Sequence, residues 1–382
     1  MTRPALLPVQ GHEDTRQGLL RAFQAGELAT SLLVHGPPGV GKQRLALWLG
    51  QLLLCLQPDA DGPCGECQPC RMVLRLEHPD LHWFFPLVRP RGASADRLQD
   101  ALEDARAAEI ETRRTQPLRA PAPGEPTGIF LAQVQTLRRL VTARPAMSTR
   151  KVFVIGQAER LVPQESSPEA ANALLKILEE PPADTTIILT ASDPDALLPT
   201  IRSRTLGVRL RALPESEVAA FLEEYAGISA EDARTRARIA EGSIGRALGY
   251  GADGALEELR QQARELLAAA LANNEAARLQ AAHRQSPAGA RGAFSDVLEQ
   301  LARWIRDLAA VASGAADLVI NVDAIDWLRA NADPGIVGNR AAEAIAAVET
   351  AMDLAQGNVN PQLVLADLLR TLRLLRPVAT RS

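Results

Sequence analysis

The run Gly36-Pro37-Pro38-Gly39-Val40-Gly41-Lys42-Gln43 limits the fold of this chain more than any other feature. It reads G-x-x-x-x-G-K, a loop whose backbone N–H groups cradle phosphates and whose lysine reaches the β- and γ-phosphates. Such a loop has to stand between a buried strand and a helix N-terminus. The flanks comply. Ser31-Leu32-Leu33-Val34-His35 is a short apolar run suited to a buried parallel strand, and Leu45, Leu49, Leu52 and Leu53 recur at helical spacing. The last position breaks the pattern, because Gln43 stands where a Ser or Thr hydroxyl would hold Mg²⁺. Gly36, Gly39, Gly41, Lys42 and Gln43 are therefore candidate nucleotide contacts in a site poorly built for hydrolysis. Lysine usage adds weight. The only lysines are Lys42, Lys151 and Lys176, so a chain that spells its positive charge as arginine keeps a compact ammonium in this loop. The plainer reading is a chance glycine turn.

A length of 382 residues suggests two or three domains. The net charge of −4 argues against a protein that coats nucleic acid. No apolar run reaches the length of a membrane span, and Met1-Thr2-Arg3-Pro4 opens no signal-peptide core. A cytoplasmic location, away from membrane, is expected.

The cysteines are Cys55, Cys64, Cys67 and Cys70, spaced C-x8-C-x2-C-x2-C within one short stretch. In a cytosolic protein such clustering reads as a metal site rather than disulfides. Four thiolates fill every position of tetrahedral Zn²⁺, which makes a structural site. Gly62, Pro63, Gly65 and Pro69 supply the turns. His78 and His82 follow closely, but four cysteines already saturate the ion, so both read as strand-edge residues. Four buried or redox cysteines are the alternative.

Along the chain, an amphipathic helix covers Thr15 to Ala25, and His78 to Phe85 reads as a turn into a second strand. Residues 87–128 form a polar insertion. Ala95 to Arg113 has a helical pattern whose charges solvate a face, and Pro121-Ala122-Pro123-Gly124-Glu125-Pro126 reads as linker. Helix Ile129 to Thr142, strand Lys151 to Ile155, helix Glu169 to Glu180 and strand Thr186 to Thr190 then alternate. That alternation predicts a doubly wound α/β core over residues 1–210. Beyond Leu210 the strand signal ends. A small helical domain over 211–252 and a larger one over 256–382 follow, with breaks at Ser286-Pro287, Pro334-Gly335 and Gly357.

Several motifs stand in one order. The loop and cysteine cluster precede His78-Pro79-Asp80, Lys151-Val152-Phe153-Val154-Ile155 and Ala171-Asn172-Ala173-Leu174-Leu175-Lys176-Ile177-Leu178-Glu179-Glu180-Pro181-Pro182. Then come Leu198-Pro199-Thr200-Ile201-Arg202-Ser203-Arg204 and Gly242-Ser243-Ile244-Gly245-Arg246-Ala247-Leu248. Over roughly residues 10–250 this set resembles the bacterial clamp-loader AAA+ family, which includes the DNA polymerase III delta-prime and gamma/tau subunits. The resemblance implies an AAA+ P-loop core, a zinc module at about 55–70, a helical lid over 211–252 and a helical oligomerisation collar over 256–382.

The resemblance also implies roles. The strand ending at Ile155 should lead into the acids that hold Mg²⁺ and position the attacking water. Here Gly156-Gln157 follows, with Glu159 further along. With Gln43, this removes the metal-holding groups on which phosphoryl transfer relies. ATP or ADP then has a loop to occupy but is not hydrolysed, which points to the stator-like delta-prime type. The chain also ends soon after the collar, without the tail of tau. Arg204 matches the family's Ser-Arg-Cys finger, with Thr205 in place of Cys, and would act in trans on a neighbouring gamma/tau subunit. The turn at Leu198-Pro199-Thr200 is expected to let Arg204 open a short helix; pairing with a surface carboxylate is the alternative. Arg246 matches the sensor-2 arginine, touching nucleotide or tying lid to core, and Asp193 falls near sensor 1. Expected partners are gamma/tau and delta subunits and, through the complex, the sliding clamp and primer-template DNA. Three other readings stay open: a gamma/tau-like ATPase motor, a P-loop nucleotide kinase with a zinc lid, and a zinc-ribbon nucleic-acid binder. The last lacks a basic patch around the cysteines.

Overall fold

The computed structural model describes residues 6–90, 92, 94, 97–119, 127–161, 169–251, 254–285, 293–332, 339–356 and 359–375. The chain divides into two compact units, one of residues 1–119, 127–221 and 242–245, the other of 120–126, 222–241 and 246–382. The expected linker at 121–126 and the breaks at 286–287, 334–335 and 357 lie outside the described residues.

The first unit is an α/β layer structure. Its five-stranded sheet contains β1 (Ser31–His35), β2 (Leu81–Phe84), β5 (Lys151–Ile155), β6 (Thr185–Ala191) and β7 (Leu206–Arg209), in the order β2-β5-β6-β1-β7. Every pairing is parallel. Strands β3 (Leu87–Val88) and β4 (Thr127–Gly128) form a separate antiparallel pair. Strands β5 and β6 are buried at every residue, as central parallel strands covered on both faces must be. Alternate side chains serve opposite faces. Leu32, Val34, Val152, Val154 and Ile188 join the core of α2 (Lys42–Leu54) and α4 (Leu98–Thr115). Leu33, Phe153, Ile155, Ile187 and Leu189 join that of α5 (Leu131–Thr142) and α6 (Glu169–Glu179). The other helices are α1 (Glu13–Gln24), α3 (Gln68–Leu74), α7 (Pro199–Arg202) and α8 (Glu215–Phe221). Edge strand β7, mostly exposed, carries no sequence signal of its own.

Two buried charges fix the connection from α5 to β5. Lys151 donates to the carbonyls of Val141 (2.6 Å) and Ala143, capping the end of α5. Asp80 accepts the N–H groups of Ala146 (2.6 Å), Met147 (2.8 Å) and Ser148 (2.7 Å). Burial opposes the Asp80 charge, yet these three donors hold its pKa below the usual carboxylate value.

The insertion corrects one expectation. Helix α4 does not merely solvate its charges: Leu102 is fully buried, and Arg113 stacks 4.4 Å from the Trp83 ring and 4.0 Å from Phe85. Arg106 lies 4.7 Å from the Phe84 ring. Guanidinium planes cover aromatic faces here, and that packing ties the insertion to the core.

Among the described residues the second unit is all-α. It holds α9 (Ala230–Ile239), most of its remaining structure being α11 (Ala255–Leu271), α12 (Glu275–His283), α13 (Ala293–Ala312), α14 (Ile325–Asn331), α15 (Asn339–Gln356) and α16 (Pro361–Thr371). The core includes Phe294, Leu298, Leu301, Trp304, Ile305 and Leu308 of α13. Short helix α10 (Ile244–Ala247) falls across the unit boundary. Among the described residues no helix is long and apolar enough to cross a membrane.

Candidate functional site

The glycine loop lies at the carboxyl end of the parallel strands, where open α/β sheets place their ligand sites. Gly36 (φ +148°), Gly39 (φ +74°) and Gly41 (φ +100°) all adopt positive φ, and a Cβ on Gly36 would strike the Leu210 carbonyl. Gly245 comes against the loop from α10: its N–H donates to the Gly39 carbonyl (3.0 Å), and a Cβ on Gly245 would lie 3.0 Å from Gly39 Cα. Lys42 is buried and turns inward, its Nζ donating to the carbonyls of Gly36 (2.7 Å) and Pro37 (2.6 Å). Burial depresses its pKa to about 8, with the Glu159 carboxylate acting in the opposite sense.

Gln43 is packed in rather than exposed to a ligand. Its Oε1 accepts the Trp83 indole N–H (3.1 Å). Its carboxamide lies directly over Gly156, so that a Cβ there would stand 2.6 Å from Oε1, 2.7 Å from Cδ and 2.9 Å from Nε2. The two positions that depart from a hydrolytic P-loop therefore meet in space. A side-chain amide, paired with an indole, fills the volume over Gly156 that a carboxylate side chain at that position would need.

Glu159, set aside on sequence spacing, turns back toward the same end of the sheet. Its Oε1 accepts the Ser192 N–H (2.9 Å), its Oε2 is buried without a hydrogen-bond partner, and burial raises its pKa. The 3₁₀ turn Ala158–Leu161 makes the difference, because it shortens the path from β5. Asp193 points elsewhere: it is exposed and accepts the N–H of Asp195 (2.9 Å) in a local turn.

Arg204 does not open a helix. Helix α7 ends at Arg202, and Arg204 follows on the turn after it, since Pro199 starts the helix earlier than expected. Its Nη2 lies 2.9 Å from Glu179 Oε1, and its Nη1 donates to the Thr200 carbonyl (3.1 Å). Arg202 is tied to Asp195 instead. In the second unit, Arg246 lies 3.3 Å from the Tyr250 hydroxyl, 3.9 Å from Glu241 and 4.0 Å from Glu299. Glu241 also binds Arg303 (3.0 Å) and Arg306 (3.1 Å), so Arg246 belongs to an ionic cluster built on α13.

The four cysteine sulfurs come together, all within 4.8 Å of one another. Cys55 follows α2, Cys67 caps α3 and Cys70 lies within α3. The Sγ separations are 3.6 Å for Cys55–Cys64, and 4.0 Å for both Cys55–Cys67 and Cys64–Cys70. Four sulfurs about 2.3 Å from a tetrahedral ion stand about 3.8 Å apart, so these thiols fit one metal such as zinc. Backbone N–H groups of Cys64 and Cys67 point at the sulfurs of Cys55 and Cys64, each at 3.4 Å. The N–H groups of Cys67 and Glu66 bring the Cys64 thiol down to about 7, while burial raises those of Cys55 and Cys70. Gly62 (φ +132°) lets the connecting loop approach Trp48, whose Cζ2 would be 2.9 Å from a Cβ. Among the described residues His78 and His82 join no metal group. His78 accepts the Asp80 N–H (3.1 Å), and His82 stacks on Phe153 at 4.7 Å.

Residues 11–214, more than half of the 382-residue chain, match the family described as DNA polymerase III, delta subunit. The chain belongs to this family. The DNA polymerase III subunit delta' of Pseudomonas aeruginosa is 32% identical over 224 residues, covering 55% of this chain and 56% of that protein. That of Escherichia coli is 28% identical over 254 residues, covering 66% of this chain and 62% of the relative. A subunit gamma/tau of Mycobacterium tuberculosis is 29% identical over 235 residues, covering 60% of this chain and 33% of the relative. The chain thus matches less than two thirds of the length of each. As a member of the DNA polymerase III delta-subunit family, it bears out the resemblance drawn from its motifs. The roles of Trp83 and Glu179 are not legible in the motifs, because their partners Gln43 and Arg204 are distant in sequence.

Proposed function

We propose that this chain is a delta-prime-like stator of a bacterial replicative clamp loader. It would turn over no ATP itself and would present Arg204 to the nucleotide of a neighbouring gamma/tau-type subunit. The observation that carries this reading is the packing of Gln43 over Gly156. Phosphoryl transfer depends on a bound cation bridging the phosphates, and here both metal-holding positions are spent on an amide and a glycine. The inward turn of Lys42 supports the same reading, since the Gly36 and Pro37 carbonyls engage the ammonium that would serve a nucleotide. ATP or ADP, if bound, rests on the amides of Gly36, Gly39 and Gly41 and on Lys42.

In this reading residues 1–210 are the AAA+ core, 211–252 the lid and 256–382 the collar that joins gamma/tau and delta subunits. Cys55, Cys64, Cys67 and Cys70 would hold one structural Zn²⁺. The sliding clamp and primer-template DNA would be reached through the complex. The protein would work in the cytoplasm. A steady-state ATPase assay on the isolated chain is the test: negligible turnover is expected. Turnover at the rate of an AAA+ motor, abolished by Lys42→Ala, would favour the second reading, a gamma/tau-like ATPase, which the gamma/tau relative and the intact glycine loop keep in view.

A further inference from the structure

An arginine that acts on a neighbour's phosphates has to be held at the surface without being buried. Arg204 meets that description, its side chain 35% exposed. A free surface arginine would sample many rotamers, and much of that freedom would be lost when a partner closes over it. Besides a long contact of Nη1 with the Ser203 hydroxyl (3.5 Å), two anchors limit it here. The Thr200 carbonyl accepts from Nη1, and Glu179 Oε1 lies 2.9 Å from Nη2.

Glu179 is placed at some local cost. It is the last residue of α6, and Glu180 follows, so two acidic side chains stand at the negative end of a helix dipole. Among the described residues Glu179 has an ion pair and Glu180 has none. The neighbouring arginine is handled differently, since Arg202 pairs with Asp195 on its own loop. The sheet-flanking helix and the finger turn are thus joined through one carboxylate, 25 residues away in sequence.

We infer that Glu179 is the positioning residue for Arg204, a role that rests on the finger reading above. The carboxylate holds the guanidinium in the orientation a partner's phosphates meet. Because the pair is solvent-exposed, phosphate oxygens, themselves anionic, displace or share it at little cost. The carboxylate touches no phosphate itself.

The test uses the reconstituted clamp loader with its ATPase subunits and reads single-turnover hydrolysis as a function of ATP concentration. Glu179→Gln should slow the phase that Arg204→Ala slows, about two- to fivefold, as an exposed ion pair allows. The ATP concentration at half-maximal rate should stay unchanged. Glu179→Lys, which repels the guanidinium, should approach Arg204→Ala. Glu180→Gln, the same charge change one residue on, should leave the rate as it was. In an Arg204→Ala background Glu179→Gln should add nothing. If Arg204→Ala slows hydrolysis and Glu179→Gln does not, the positioning role falls and the finger reading stands. If Arg204→Ala itself has no effect, both fall. A Glu179→Gln defect that persists without Arg204 also overturns the inference.

Discussion

Replacing Gly156 with alanine puts one carbon atom against the Gln43 carboxamide. Gly156 does not lie at positive φ, so the backbone accepts alanine and the cost is local. The new Cβ would stand 2.6 to 2.9 Å from three atoms of Gln43, well inside van der Waals contact. Gln43 has to swing away, and its bond to the Trp83 indole goes with it. Overpacking of this kind costs about 1–3 kcal/mol, the lost hydrogen bond included. The smaller entropy of alanine in the unfolded chain returns about 0.4–1 kcal/mol. The net expectation is a loss of about 1–2 kcal/mol. In a Gln43→Ser background the obstacle is gone, and Gly156→Ala should stabilise by about 0.4–1 kcal/mol. The coupling between the two positions is then about 1.5–3 kcal/mol, in the range of residues in direct contact. Amide hydrogen exchange at Phe153, Val154 and Ile155, deep in β5, reads this opening energy without requiring whole-chain two-state unfolding. Equal effects of Gly156→Ala in the two backgrounds would refute the mutual packing.

Elemental analysis should find about one zinc per chain, and Cys64→Ser should abolish stoichiometric binding; a folded, metal-free protein with every thiol titratable would contradict this. Arg204→Ala should leave complex assembly intact but lower its DNA-stimulated ATPase and clamp-loading rates, with poor rescue by Arg204→Lys, which lacks the planar fork; unchanged rates would remove the finger role. Lys42 titrates near 8 in the fold and near 10.4 unfolded, so the unfolded chain binds its proton more tightly. Stability of the first unit should therefore rise as pH climbs from about 8 to about 10.4, with the whole penalty present below about 8. Lys42→Met should abolish that rise in urea titrations; an identical pH profile in both proteins would disprove the assignment.

Much of this was legible because the signals are local. Strand β1, the glycine loop and α2 follow from apolar run, glycines and helical spacing, and the cysteines from spacing alone. The failures are long-range. Strand β7 has little apolar pattern because it is an exposed edge, and α4 looked like a solvated excursion because Arg106 and Arg113 find aromatic partners on a distant strand. The place of Glu159 escapes a count of residues from β5, which cannot register the 3₁₀ turn that folds it back. Glu179 sits in a recognised motif, yet its pairing with Arg204 joins residues that only the tertiary fold makes neighbours.

The fit of Gln43 to Gly156 also bears on the history open to such a chain. A return toward hydrolysis needs a hydroxyl at one position and a carboxylate at the other. Taken singly, Gly156→Asp runs into the amide, while Gln43→Ser leaves the Trp83 N–H without its acceptor and empties the space beside it. Each first step back is penalised before the second can compensate. On the proposed stator reading, loss of the metal site thus acts as a ratchet: small drift can deepen it, but only paired change can undo it.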